Sequence, residues 1–338
     1  MAADGETAPS PATFELEHAV GYSGAVRDSL AMHPNGQDLL YAAGGCVVAC
    51  DKDDPHKQTF FRGHDDNVSS LSVSVSGRYV ASGQAGSDSD VIVWDYEKRD
   101  VLFRCQEHSG GVAGVAFTAD EKLFATLGAE DNSLVVWDVS SGAIVASTNI
   151  GPAPAVVVAW GGAAKDVKRR ATSDYVLCTA GNGVATLWTV NPYTGSLTGK
   201  KFNTGSRPCL RNYTCAQFSE DGDWLFCGSS SGDFTVFNVR SVGLKGIQNS
   251  CGGGVLSINV VSSDVVLVGG GDGSLAEFCA RDEVGAPPPS NCSLRPLTIP
   301  CAVRPLVSLC RGCAGQNLLG GDVAGQFSGG RVVDLGQP

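Results

Sequence analysis

The sequence predicts an all-β chain folded as a seven-bladed β-propeller, and three observations carry that prediction. GHDDNVSSLSVSVSGRYVASGQ, ending in VIVWDY, is followed by EHSGGVAGVAFTADEKLFATLG, ending in LVVWDV; 44 residues separate His64 from His108 and 43 separate Trp94 from Trp137. A repeat of about 40–45 residues that opens near Gly-His and closes on Trp-Asp marks a four-stranded propeller blade. A turn rich in Gly, Asn, Asp or Ser, then a strand with one bulky residue, recurs in YAAGGCVVACD, SGQAGSDSDVIVWD, LGAEDNSLVVWD, TAGNGVATLWT, GSSSGDFTVFN, GGGDGSLAEFC and GGDVAGQFSGG. Composition agrees, because 44 Gly, 2 Met and abundant Val, Ser and Thr suit short alternating strands joined by tight turns.

Each unit is keyed by one residue at the tryptophan position of a WD40-type blade. In order these are Cys50, Trp94, Trp137, Trp188, Phe237, Phe278 and Phe327, separated by 44, 43, 51, 49, 41 and 49 residues. Seven units fill the chain from about Phe14, and seven blades close radially with only short protected edges. Propellers grow by adding blades around one axis, so residues 14–338 are expected to form a single domain. Residues 1–13, MAADGETAPSPAT, have neither a basic region nor an apolar stretch, and are read as a disordered tail rather than a signal peptide. The longest apolar run, Ala155 to Trp160, falls far short of the roughly 20 residues a membrane-spanning helix needs, so a soluble cytoplasmic protein without membrane contact is expected.

Several strings imitate catalytic motifs. His64, Ser82 and Asp90 could pass for a Ser-His-Asp triad, and His108, Thr126 and Asp131 repeat the arrangement in the next unit. Recurrence at the blade period argues against catalysis, because an enzyme needs one such constellation whereas a fold-stabilising network recurs in every blade. With Trp94 and Trp137 these residues resemble the structural tetrad of WD repeats. Trp188, Phe237, Phe278 and Phe327 are expected in blade cores, and the loss of His and Trp in the last three units predicts loss of the network there. GSLTGKK (Gly195 to Lys201) has the wrong spacing for a phosphate loop. Gly271-x-Gly273-x-x-Ala276 precedes a strand where a dinucleotide site requires a helix. No catalytic residue, cofactor or small-molecule substrate is expected.

Of the 13 cysteines, Cys178 and Cys227 stand where small apolar residues belong in strands, and reduced buried thiols are expected. Cys310 and Cys313 have metal-like spacing, with Cys292 and Cys301 upstream, but a four-thiolate zinc site needs two converging pairs; no metal is expected. A net charge of −11 argues against nucleic acid as a partner. The exception is KDVKRR between the first two strands of the fourth unit, where Lys165, Lys168, Arg169 and Arg170 form either a solvated loop or a basic finger for an acidic protein partner.

Beyond the generic repeat, the Asn67-Val68-Ser69 run after Gly-His, GRYVASGQ (Gly77 to Gln84) and Trp94-Asp95-Tyr96 with Arg99 resemble the cilia- and flagella-associated WD-repeat family that lines the lumen of doublet microtubules. FELEHAVGYSG (Phe14 to Gly24) resembles that family's entry strand, and TAGNGVATLW (Thr179 to Trp188) its fourth blade. The resemblance covers roughly residues 14–190, with only the blade rhythm continuing from Phe202. Members usually carry two seven-bladed propellers, and the loop after Gln84 is shorter here than in the family. The resemblance implies a structural role in the axoneme, with tubulin and neighbouring inner proteins as partners; the alternative is a generic WD scaffold, such as a ubiquitin-ligase substrate receptor or a trafficking-complex subunit. It also implies that the N-terminal strand near Phe14 to Glu17 completes the last blade, with Arg331 to Leu335 as the competitor.

Overall fold

Alternation on the middle strands decides the architecture. Along β11 (Ser133–Asp138), Val135 and Trp137 join one buried cluster while Leu134 and Val136 join another. A strand with side chains alternating between two faces, both apolar, must be covered on both sides. The second to fifth sheets therefore each pack between two others.

The computed structural model describes residues 16–22, 29–205, 211–262, 265–279 and 295–297. They form antiparallel four-stranded sheets in simple sequence order. The first holds β1 (Leu30–Met32), β2 (Asp38–Ala43), β3 (Cys46–Asp51) and β4 (Gln58–Arg62), and the second β5 (Val68–Val73), β6 (Tyr79–Gln84), β7 (Asp88–Asp95) and β8 (Asp100–Ser109). The third holds β9 (Val112–Phe117), β10 (Leu123–Gly128), β11 and β12 (Ile144–Asn149), and the fourth β13 (Ala155–Lys165), β14 (Ala171–Gly181), β15 (Ala185–Asn191) and β16 (Ser196–Lys201). The fifth holds β17 (Tyr213–Phe218), β18 (Trp224–Ser229), β19 (Asp233–Asn238) and β20 (Gly243–Asn249), and the sixth β21 (Val255–Val260), β22 (Val265–Gly270), β23 (Leu275–Cys279) and β24 (Arg295–Leu297). The first strands of successive blades pack against one another.

The described residues thus form six propeller blades, which corrects the expected seven. Cys50, Trp94, Trp137, Trp188, Phe237 and Phe278 fall on the third strands of blades one to six in turn. The seventh unit, keyed by Phe327, lies outside the described residues, as do Cys292, Cys301, Cys310 and Cys313. Glycine-rich turn letters misled the count. GGDVAGQFSGG shares them but lacks the apolar run that VIVWD, LVVWD and FTVFN carry. Phe14 and residues 331–335 are also outside the described residues. Leu16 to Ala19, which are described, adopt no strand and contact β4 of the first blade, where the Ala19 N–H donates to Gln58 Oε1 at 2.8 Å and Arg62 Nη2 to the Leu16 carbonyl at 3.4 Å.

Among the described residues, each keyed aromatic packs backward onto the preceding blade. Trp94 joins Leu40, Val47 and Phe61; Trp137 joins Val91, Val93 and Phe117; Trp188 joins Leu134 and Trp160. Phe237 joins Val157 and Phe202, and Phe278 joins Phe226 and Phe234. A β-bulge precedes the keyed residue on the third strand of blades two, three and five, at Val93/Trp94, Val136/Trp137 and Val236/Phe237. Such bulges add local twist, which turns the outer strand relative to the inner ones.

Close approach of neighbouring blades imposes glycine at two equivalent places. A Cβ on Gly83 of β6 would stand 2.5 Å from Cγ1 of Val112, the first residue of the next blade, and one on Gly228 of β18 would clash in the same way with Val255. At both joints a hydroxyl bridges the blades: Ser69 donates to the Val112 carbonyl at 2.7 Å, and Thr214 donates to that of Val255. Gly83→Ala should therefore lower stability by about 1–3 kcal/mol through overpacking, read as a fall in the urea midpoint, and Gly228→Ala should behave alike.

Candidate interaction surface and the buried polar relays

In blade two a chain of hydrogen bonds runs from core to rim. The Trp94 indole N–H donates to Ser82 Oγ at 2.8 Å, and Ser82 lies 2.6 Å from His64 Nε2. His64 Nδ1 sits 2.8 Å from Gln84 Oε1, an acceptor only, so Nδ1 carries the proton and Ser82 donates to Nε2. Gln84 passes the chain on, donating to Asp65 at 2.6 Å and to the Asp88 carbonyl at 2.8 Å. Blade three repeats it: Trp137 donates to Thr126 Oγ1 at 2.9 Å, Thr126 pairs with His108 Nε2 at 2.7 Å, and His108 Nδ1 meets Ser133 at 2.7 Å and Asp131 at 3.3 Å.

Asp90 does not join the relay expected of it. It pairs with Arg104 and accepts from Gln106 at 3.0 Å, and Gln84 takes its place beside His64. The spacing carried a signal, since Asp90 lies four residues before Trp94 while Asp131 lies six before Trp137. That shift moves the carboxylate along β7 toward Arg104 on β8. Gln84 was missed because an amide is not an expected tetrad letter.

Ser82 and Thr126 are fully buried, so neither hydroxyl meets a substrate. Burial pushes His64 below the ordinary histidine value, against the opposing effect of the hydrogen bond it donates to Gln84. Burial likewise lowers His108, against Asp131. Burial works to raise Asp131, but hydrogen bonds from Ser133 and Ser109 and the nearby His108 outweigh it and hold the carboxyl low.

The relay changes along the ring. In blade four Trp188 donates to Thr179 at 2.8 Å. Blade five was expected to lose its network with Phe237 and no histidine. Instead Arg211 donates to Asp233 through Nε at 2.7 Å and Nη2 at 2.6 Å, and Ser229 donates to the same carboxylate. Burial would raise Asp233, yet Arg211 and Ser229 hold it below the usual carboxylate range. Phe237 is fully buried, and Trp188 and Phe278 are buried. The described cysteines form no disulfide; burial pushes Cys105 up to about 12 and Cys227 well above the usual thiol value, so both stay protonated.

On the opposite rim, side-chain hydrogen bonds fasten blade to blade. Tyr96 donates to Asp38 at 2.7 Å, Ser76 to Glu121 at 2.8 Å and Tyr175 to Asp120 at 2.6 Å. His33 stacks on Tyr96 with 3.8 Å between ring centroids. The basic arm lies on this rim, as the tip of the long β13–β14 hairpin. Lys165 is tied to blade five through Asp223 at 2.7 Å and the Asp221 carbonyl, and Arg170 is paired with Asp166 at 2.8 Å. Lys168 and Arg169 remain exposed at the tip beside Val167, which is 86% exposed. Two of the four expected contact residues are thus committed within the chain.

The profile of the family described as Echinoderm microtubule-associated protein first beta-propeller matches residues 57–319. The chain belongs to this propeller family. It is also 33% identical over 271 residues to cilia- and flagella-associated protein 52 of Chlamydomonas reinhardtii, covering 77% of this chain and 42% of the relative. Its Homo sapiens counterpart is 30% identical over 280 residues, 79% of this chain and 43% of the relative. WD repeat-containing protein 90 of Homo sapiens is 26% identical over 249 residues, 70% of this chain and 13% of the relative. The chain spans less than half the length of these curated relatives.

Two outcomes test the relays. Because His64 and His108 are held neutral by burial, the unfolded chain takes up more protons, so their stability contribution is present above about pH 6.5 and is lost as pH falls toward the folded values. Melting temperature should fall between about pH 6.5 and 5, and a His64→Gln, His108→Gln variant should show a flatter profile over that window. Arg211→Ala, which strands the buried Asp233 carboxylate, should cost about 3 kcal/mol in urea unfolding.

Proposed function

We propose that the chain is a non-catalytic propeller scaffold of the ciliary and flagellar axoneme, a microtubule inner protein that binds tubulin and neighbouring inner proteins within the doublet lumen. The observation that carries this reading is the similarity to cilia- and flagella-associated protein 52 across 77% of the chain, joined to a family description that names a microtubule-associated protein. The geometry is compatible with a binding role, since the triad-like hydroxyls are consumed in buried relays. A rigid disc presents two faces and a rim to several partners at once, and the consecutive blades, each sharing a core with the next, act as one domain.

Charge divides the disc. Over residues 16–149 Asp and Glu outnumber Lys and Arg by more than two to one, whereas over residues 150–262 the basic residues are in the majority. Net negative charge opposes binding at the acidic outer tails of a microtubule and favours a lumenal site, while the exposed Lys168 and Arg169 offer the positive contact to an acidic protein partner.

The test is to express the tagged chain in ciliated cells, extract membranes with detergent and wash the axonemes with high salt. The tag should remain with the doublets. Release of the folded protein into the soluble fraction would overturn the reading.

A further inference from the structure

The β13–β14 hairpin is longer than its counterparts, with 11 residues in each strand against 6 in the equivalent strands of blade three. Its end is irregular. Ala163 faces Tyr175 and Lys165 faces Ala171, so Thr172, Ser173 and Asp174 together oppose the single residue Ala164. Thr172 and Ser173 are exposed in this bulge. The preceding residues read Lys168-Arg169-Arg170-Ala171, which places arginine three and two positions before Thr172.

We propose that Thr172 is a phosphoacceptor for a basophilic serine/threonine kinase. Such an enzyme recognises a hydroxyl preceded by cationic side chains that pair with its own carboxylates, with charge pattern setting the choice of substrate. The γ-phosphorus of ATP loses its bond to the bridging oxygen of ADP and gains one to Thr172 Oγ1, while the hydroxyl proton passes to the kinase's catalytic carboxylate. Thr172 Oγ1 now donates to the Ala164 carbonyl at 2.9 Å. That bond is exposed, and the tip beyond it is held by Asp166, which accepts from the Lys168 N–H at 2.8 Å and from the Arg170 N–H at 2.9 Å. No buried apolar side chain anchors Val167 to Ser173, all of them exposed, so the tip opens locally at low cost to enter an extended substrate groove.

The modification changes the charge of the arm. Lys165, Lys168, Arg169 and Arg170 stand against Asp166 and Asp174, and a phosphate adding about −1.5 to −2 cancels that excess. Arg170 is placed to exchange Asp166 for the phosphate. This inference rests on the arm's sequence and geometry and stands apart from the axonemal reading; it supplies a means of turning a positive contact surface off.

The experiment incubates the full folded chain with a purified basophilic kinase catalytic subunit and magnesium ATP, and maps phosphate by tandem mass spectrometry. One phosphate on Thr172 is expected, retained by Thr172→Ser, abolished by Thr172→Ala, and slowed about tenfold or more by Arg169→Ala through loss of a charge pair with the kinase. Unchanged melting of Thr172→Ala shows that the loss is not misfolding. Phosphate on Ser173 instead, or incorporation only after thermal unfolding, or none on the folded chain, overturns the proposal.

Discussion

No blade of this protein can bury itself alone, and everything else in the structure depends on that. A four-stranded sheet with apolar residues on both faces leaves one face in water unless another sheet covers it, at about 25 cal/mol for each Å² of apolar surface. The chain answers by repetition. Each third-strand aromatic reaches back into the cluster of the preceding blade, so Trp94 serves blades one and two and Phe237 serves blades four and five. Stability is shared between neighbours, much as in other repeat proteins.

Burying tryptophan imposes a second constraint. Its indole N–H needs an acceptor, and the fold supplies Ser82, Thr126 and Thr179 at matching places on the second strands. Those hydroxyls need partners in turn, which brings in His64 and His108 and then the rim residues Gln84, Asp131 and Ser133. In blade five, where phenylalanine stands for tryptophan, Cys227 occupies the place of Ser82, and Ser229, at the place of Gln84, donates to Asp233, which Arg211 neutralises. The groups that imitate a catalytic triad are spent on holding the blade.

The blade phase and the keyed residues were legible because they follow from covalent spacing and side-chain type: Trp94 and Trp137 recur at the blade period, and strand alternation follows from the pleat. Gln84 and Arg211 were not legible as relay members, because their roles depend on a side chain arriving from another strand or from the previous blade's end. Asp90 shows the same limit from the other side. Its letter suits the tetrad, yet a shift of two residues along β7 delivers it to Arg104.

By itself the sequence determined the all-β class, the order of the blades, the placement of one keyed residue on each third strand, aromatic in blades two to six, and the family resemblance, since all of these depend on local pattern and period. Tertiary structure decided the number of described blades, six rather than seven, because glycine-rich turns recur without the apolar run that a packed strand needs. It also decided which polar residues meet, and which basic residues of the arm stay free. Lys165 and Arg170 are held by Asp223 and Asp166 while Lys168 and Arg169 face solvent, a division set by the distance to carboxylates that only the folded chain brings near.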